Sequence, residues 1–139
     1  AKNVKDEIFS PMKEPEDEPC GYQEMEQATR NVMDYYMGFR RSMAGMERAL
    51  EKIRYLQTQT PRLYATSLRE LMRCHESREI LNICELAILA TMERKESGRC
   101  VYRVREFPNL NPEMAKPLLL SRSASGPVFT WGKEASLWN

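Results

Sequence analysis

The stretch ILNICELAILATM, residues 80–92, carries apolar side chains on nearly every side of a helix, which marks it as the central helix of a bundle. It closes a longer helical pattern over residues 62–97, with Gly98 placed as the C-terminal stop. The opening of that pattern sets Leu63, Tyr64, Leu68, Leu71 and Met72 in a narrow apolar stripe. Between the two, RCHESRE (residues 73–79) is polar on all sides, and the pattern predicts it exposed or packed against something outside the chain.

Upstream, residues 22–57 contain no proline, and their apolar positions recur at helical spacing. Met25, Val32, Phe39, Met46 and Ile53 fall every seventh residue. Ala28, Tyr35, Ala49 and Leu56 lie three residues later in the repeat, and Tyr36, Met43 and Leu50 four later. This is the buried stripe of an amphipathic helix or helix pair. Gly38 and Gly45 would each cost about 1 kcal/mol inside a helix, so a break between them is predicted. Thr58, Thr60 and Pro61 stop the pattern, with Pro61 placed to open the next helix.

The flanks differ in character. Residues 1–21 include KEPEDEP, in which Pro15 and Pro19 sit among charged residues, and read as a solvated connector. Within them Val4, Ile8 and Phe9 suit one short amphipathic turn. After Gly98, residues Val101, Tyr102, Val104 and Phe107 suit an extended arm ended by Pro108, Pro112 and Pro117. Residues 118–121 and 128–131 read as two strands joined through Ser125, Gly126 and Pro127. The expected fold is therefore mainly α: a three-helix, spectrin-repeat-like bundle followed by an extended arm and a small C-terminal β-hairpin. The boundaries are a connector over 1–21, the bundle over 22–97, and the arm and hairpin over 98–139.

The 139 residues carry 21 Lys and Arg against 20 Asp and Glu. A net charge of +1 argues against a polybasic nucleic-acid or membrane binder. The longest apolar run, residues 86–90, is far short of the ~20 residues a membrane span needs. No secretory leader is visible at the start. Cys20, Cys74, Cys84 and Cys100 form no C-x-x-C pair and are expected as reduced thiols of a cytoplasmic protein, with Cys84 in the core.

No motif declares catalysis. His75 follows Cys74, but neighbours on a helix point about 100° apart and cannot form a dyad, so it reads as a surface residue. The glycines never fall as G-x-G, and no serine sits in a nucleophile elbow. Met33 with Met37, and Met43 with Met46, are spaced for core packing. The basic cluster Arg94, Lys95, Arg99, Arg103 and Arg105 has two readings, a surface that offsets a helix dipole or an inter-domain or ligand-facing patch.

Residues 79–110, EILNICELAILATMERKESGRCVYRVREFPNL, resemble the C-terminal helical domain of the fumarate reductase/succinate dehydrogenase flavoprotein family. The resemblance rests on Glu79, Asn82, Ala87, Arg94, Glu96, Ser97, Tyr102, Arg103, Glu106, Phe107 and Pro108 in that order. MDYYMGFRR is similar to the first helix of that domain, with Gly38 and Arg41 as its G-x-x-R. DEIFSPM, SLRELMR and REFPNLNP look most like the adenylylsulfate reductase alpha-subunit branch. Gly98-Arg99-Cys100-Val101-Tyr102, where dicarboxylate-using members carry a glycine and a histidine, leans the same way. The resemblance implies a helical C-terminal module of an FAD-dependent oxidoreductase that packs on the FAD-binding domain of the same polypeptide. It also implies an iron–sulfur subunit as a partner. It carries over no catalytic, cofactor-binding or metal-binding residue, so this chain alone is expected to bind no flavin. Arg94, Arg99, Arg103 and Arg105 are the expected inter-domain contacts. The alternatives are the same module of an L-aspartate oxidase-like flavoenzyme and a free-standing helical interaction domain.

Overall fold

A computed structural model describes residues 2–98 and 103–132. Helix α1 (Lys2–Ile8) and a 3-10 turn at Ser10–Met12 lead into the bundle helices α2 (Tyr22–Tyr36), α3 (Met43–Gln59) and α4 (Leu68–Glu93). The two-residue strands β1 (Arg40–Arg41) and β2 (Arg103–Val104) pair in parallel, and β3 (Leu118–Ser123) and β4 (Gly126–Trp131) form an antiparallel hairpin. The three bundle helices pack pairwise on one another, as the apolar repeats predict. Met25 of α2 meets Met46, Ala49 and Ile53 of α3 and Leu71, Cys74, Leu81 and Ile88 of α4 in one core. Burying each large side chain there stabilises the fold by roughly 1.5–3 kcal/mol. The methionine pairs behave as expected: Met37 and Met46 are buried, with Met33 and Met43 packed partly against them.

The first helical break falls at Gly38. Helix α2 ends with Met37 as its C-cap, and α3 begins after Ser42, whose hydroxyl accepts the Gly45 N–H at 3.1 Å. The seven-residue repeat therefore does not run through unbroken. Phe39 leaves the helix and is 53% exposed, and Tyr35 is 79% exposed. Arg41 covers the end of α2 instead, its Nε donating to the Met37 and Gly38 carbonyls at 3.1 and 3.0 Å.

The second helix is shorter than the predicted 62–97 at both ends. Pro61 opens only a 3-10 turn, Thr60–Arg62. Residues 63–66 are held extended because Leu63 bridges to Cys20 and Ala65 donates to the Pro11 carbonyl at 2.7 Å. Helix α4 starts where Ser67 accepts the Glu70 N–H, while the Glu70 carboxylate takes the Thr66 N–H at 2.8 Å. It stops at Glu93, five residues before Gly98, since Glu96 and Ser97 are drawn into the arm.

Two further expectations fail within α4. The polar run 73–79 is exposed only in part and is packed against the chain's own elements: Cys74 and Ser77 are buried, Arg73 pairs with Glu26 of α2, and His75 Nε2 donates to the Ile8 carbonyl at 2.7 Å, while Glu79 is exposed. Residues 80–92 are not apolar-buried all round. Leu81 and Ile88 face the core while Ile80 and Ile83 face outward, and Cys84 is only half-buried.

The hairpin turns at Ala124 and Ser125, with Ser123 opposite Gly126. Gly126 has φ +119°, a conformation L side chains rarely adopt. Pro127 lies within β4 opposite Arg122 rather than in the turn. The hairpin packs along α4, its turn beside Glu79, Asn82 and Leu86 and its open end beside Ala90 and Arg94.

Candidate functional site

The arm that follows α4 is held by three side chains. Arg94 Nη1 donates to the Glu96 carboxylate and to the Met114 carbonyl at 3.0 Å, and Nη2 donates to the Lys116 carbonyl at 2.9 Å. The guanidinium also lies 5.1 Å from the Trp131 ring centroid, joining helix end to hairpin. Glu96 is buried and accepts the Asn111 N–H at 3.1 Å. Ser97 is buried, accepts the Val104 N–H at 2.9 Å and donates to the Phe107 carbonyl. The R-x-E-S pattern thus folds the arm back on the bundle, and Arg94 makes these contacts within the chain.

That fold-back delivers β2 alongside β1. Arg103 N–H donates to the Phe39 carbonyl and Arg105 N–H to the Arg41 carbonyl, each at 2.8 Å. In this register Arg40 lies beside Arg103, and Arg41 beside Val104. Val104 points into the core, so Arg40 and Arg103 point out together. They border an open groove of about 780 Å³ whose walls include Tyr35, Tyr36, Gly45, Arg48 and Arg105. Arg41 also lines it but is engaged with α2 and, at 3.4 Å, with Thr91 of α4. The guanidinium groups of Arg40, Arg48, Arg103 and Arg105 form no ion pair among the described residues, whereas Arg54, Arg73 and Arg94 each pair with a glutamate. Like charges side by side in a sheet destabilise it by roughly 0.2–1 kcal/mol. Of the four arginines predicted from sequence, the structure gathers Arg103 and Arg105 at this groove and sends Arg94 to the hairpin. Arg99 lies outside the described residues. The sequence reading missed Arg40 and Arg48; Arg40-Arg41 just after Gly38 was the available signal.

The starts of the three bundle helices are not open to the pyrophosphate of a dinucleotide. A pyrophosphate needs free N–H groups at a helix start. Here a carboxylate already sits at the start of each bundle helix: Glu24 on the Gly21 N–H, Glu106 on the Met43 N–H, and Glu70 on the Thr66 N–H. Burial pushes the Cys20, Cys74 and Cys84 thiols up, so they are protonated and poor nucleophiles near neutral pH. No group of His, Cys, Asp and Glu able to hold a metal ion occurs among the described residues.

Residues 26–125 match the family described as fumarate reductase flavoprotein C-term. The chain belongs to that family. L-aspartate oxidase of Vibrio cholerae is 32% identical over 85 residues, covering 61% of this chain and 16% of that protein. The adenylylsulfate reductase of Archaeoglobus fulgidus superposes with a TM-score of 0.86 at 20% identity, over 94% of this chain and 24% of that one. A quinol fumarate reductase chain of E. coli gives 0.77 at 18% identity, over 99% of this chain and 25% of that one. At such identities the structural likeness establishes the shared fold. This member of the flavoprotein C-terminal family spans about a quarter of the structures it resembles. No helix of the described residues is long and apolar enough to cross a membrane.

Proposed function

We propose that this chain is the helical C-terminal module of an FAD-dependent oxidoreductase subunit and packs on the FAD-binding domain of the same polypeptide. The observation that carries the reading is the family match over residues 26–125. Two features of the surface support it. Leu68, Met72, Ile80 and Ile83 lie on one side of α4 and are 40–69% exposed, an apolar face suited to cover by another domain. The arm presents Arg103 and Arg105 beside Arg40 and Arg48. Arg103 and Arg105, with Arg99 next to them in sequence, make the inter-domain contacts, and Arg94 contributes by holding the arm in place. The bundle over 22–97 and the arm and hairpin over 98–139 act as one packing unit behind the connector 1–21.

Flavin and catalytic groups belong to the domain that this module covers. The adenylylsulfate reductase-like branch rests on the likeness of DEIFSPM, SLRELMR and REFPNLNP to that branch, and an iron–sulfur subunit is the partner that the resemblance implies. The sibling reading, the same module of an L-aspartate oxidase-like enzyme, is favoured by the 32% identity to the Vibrio cholerae protein. Unpaired, protonated Cys20, Cys74 and Cys84 suit a reducing cytoplasm. The test is Arg103→Glu in the flavin-bearing polypeptide. The reading expects several-fold weaker flavin retention; retention and activity equal to those of the parent would remove Arg103 from the interface.

A further inference from the structure

We propose that the arginine groove between α2, α3 and β2 seats an acidic polypeptide strip, with carboxylates forked by Arg40 and Arg103 and followed along the groove by Arg48 and Arg105. The proposal rests on the module reading and names the chemistry of the surface that meets this face. Three observations carry it. The parallel register sets Arg40 and Arg103 side by side, one strand spacing of about 4.8 Å apart. Planar guanidinium forks carried on neighbouring strands can share or separately bind carboxylates bidentately. This chain pairs Arg54, Arg73 and Arg94 with its own glutamates but leaves these four without an acid among the described residues. An acid supplied from outside would relieve the repulsion between Arg40 and Arg103.

The form of the groove selects a polypeptide over a compact polyanion. The start of α3, where a phosphate would gain most, is filled by the Ser42 hydroxyl and by Glu106, whose carboxylate accepts the Met43 N–H at 3.0 Å. That negative charge opposes a phosphate dianion placed at the same helix end. Carboxylates spread along a strip can meet the arginines without approaching it. At the rim, Tyr35 and Tyr36 stack edge-to-face with centroids 4.7 Å apart, offering an apolar ledge to the strip's backbone and side-chain stems.

Titrating the 139-residue chain with hexaglutamate at low salt tests this, with pyrophosphate as the competing probe. Saturable binding is expected, weakened at least tenfold in Arg40→Glu/Arg103→Glu and unchanged in Arg54→Glu, whose site lies on the far part of α3. Arg40→Lys/Arg103→Lys keeps the charge and should lose only part of the affinity. Should the double reversal fail to fold, Arg40→Gln/Arg103→Gln gives the same readout with several-fold weakening. Absence of binding, binding insensitive to all these groove variants, or tighter binding of pyrophosphate than of hexaglutamate overturns the proposal. Failure of the module reading looks different: the polypeptide carrying this sequence would be free of flavin while groove-dependent hexaglutamate binding persisted.

Discussion

Ser97 is the residue on which the arm turns. Its hydroxyl accepts the buried Val104 N–H and donates to the Phe107 carbonyl. A buried amide left without an acceptor costs about 1–3 kcal/mol. Ser97→Ala is therefore expected to lower the unfolding free energy by that amount in a urea titration, with the amides of 103–107 losing hydrogen-exchange protection first. Glu85 acts on stability through pH. Burial pushes its carboxyl up, but hydrogen bonds from Gln57 and Arg54, with the charge of Arg54, outweigh this and hold it below the usual range. A folded value below the unfolded one, about 4.3, means the stabilisation is complete above pH 5 and is lost as pH falls through the folded value. Thermal melts of the parent should show a steeper fall below pH 4.5 than those of Glu85→Gln. Parallel curves would mean that Glu85 contributes nothing.

At the scale of elements, the start of α4 is set by Ser67, whose hydroxyl accepts the Glu70 N–H of the first turn, and by Glu70, whose carboxylate accepts the N–H of Thr66 just ahead of the helix. Ser67→Ala should cost about 1 kcal/mol, read as a lower urea midpoint with unchanged slope. The same pair shows what sequence could have told. S-x-x-E at 67–70 is a helix-start signature that marks the true start, whereas Pro61 and the apolar stripe from Leu63 onward place it at 62. What moved the start was Cys20, whose bridge to Leu63 spans a long stretch of chain and leaves no local signal. The helix repeats, the break at Gly38 and the hairpin were all legible because each depends on near neighbours. The turn at Ser123–Gly126 slid from its expected place by a residue or two, since the positive φ fell to Gly126 and Pro127 fitted an edge strand. The groove was half legible. Arg103 and Arg105 stood out as a cluster, but Arg40 joins them only through a two-residue parallel pairing across 63 positions of sequence.

For the whole molecule, the bundle gives the core and the arm gives the face. Helices α2, α3 and α4 share one core with Leu63, Ala65 and Val104, whereas the exposed side of α4 is left uncovered and Arg40, Arg48, Arg103 and Arg105 have no ion pair among the described residues. Both features belong to a module made to be covered. The most direct measurement is the flavin content of the polypeptide isolated from its native source with an antibody raised against this chain. The account predicts a yellow protein that absorbs near the flavin band and releases about one FAD per polypeptide. A colourless 139-residue polypeptide, free of flavin and of any flavin-bearing partner, would contradict it and leave a free-standing helical interaction domain as the better description.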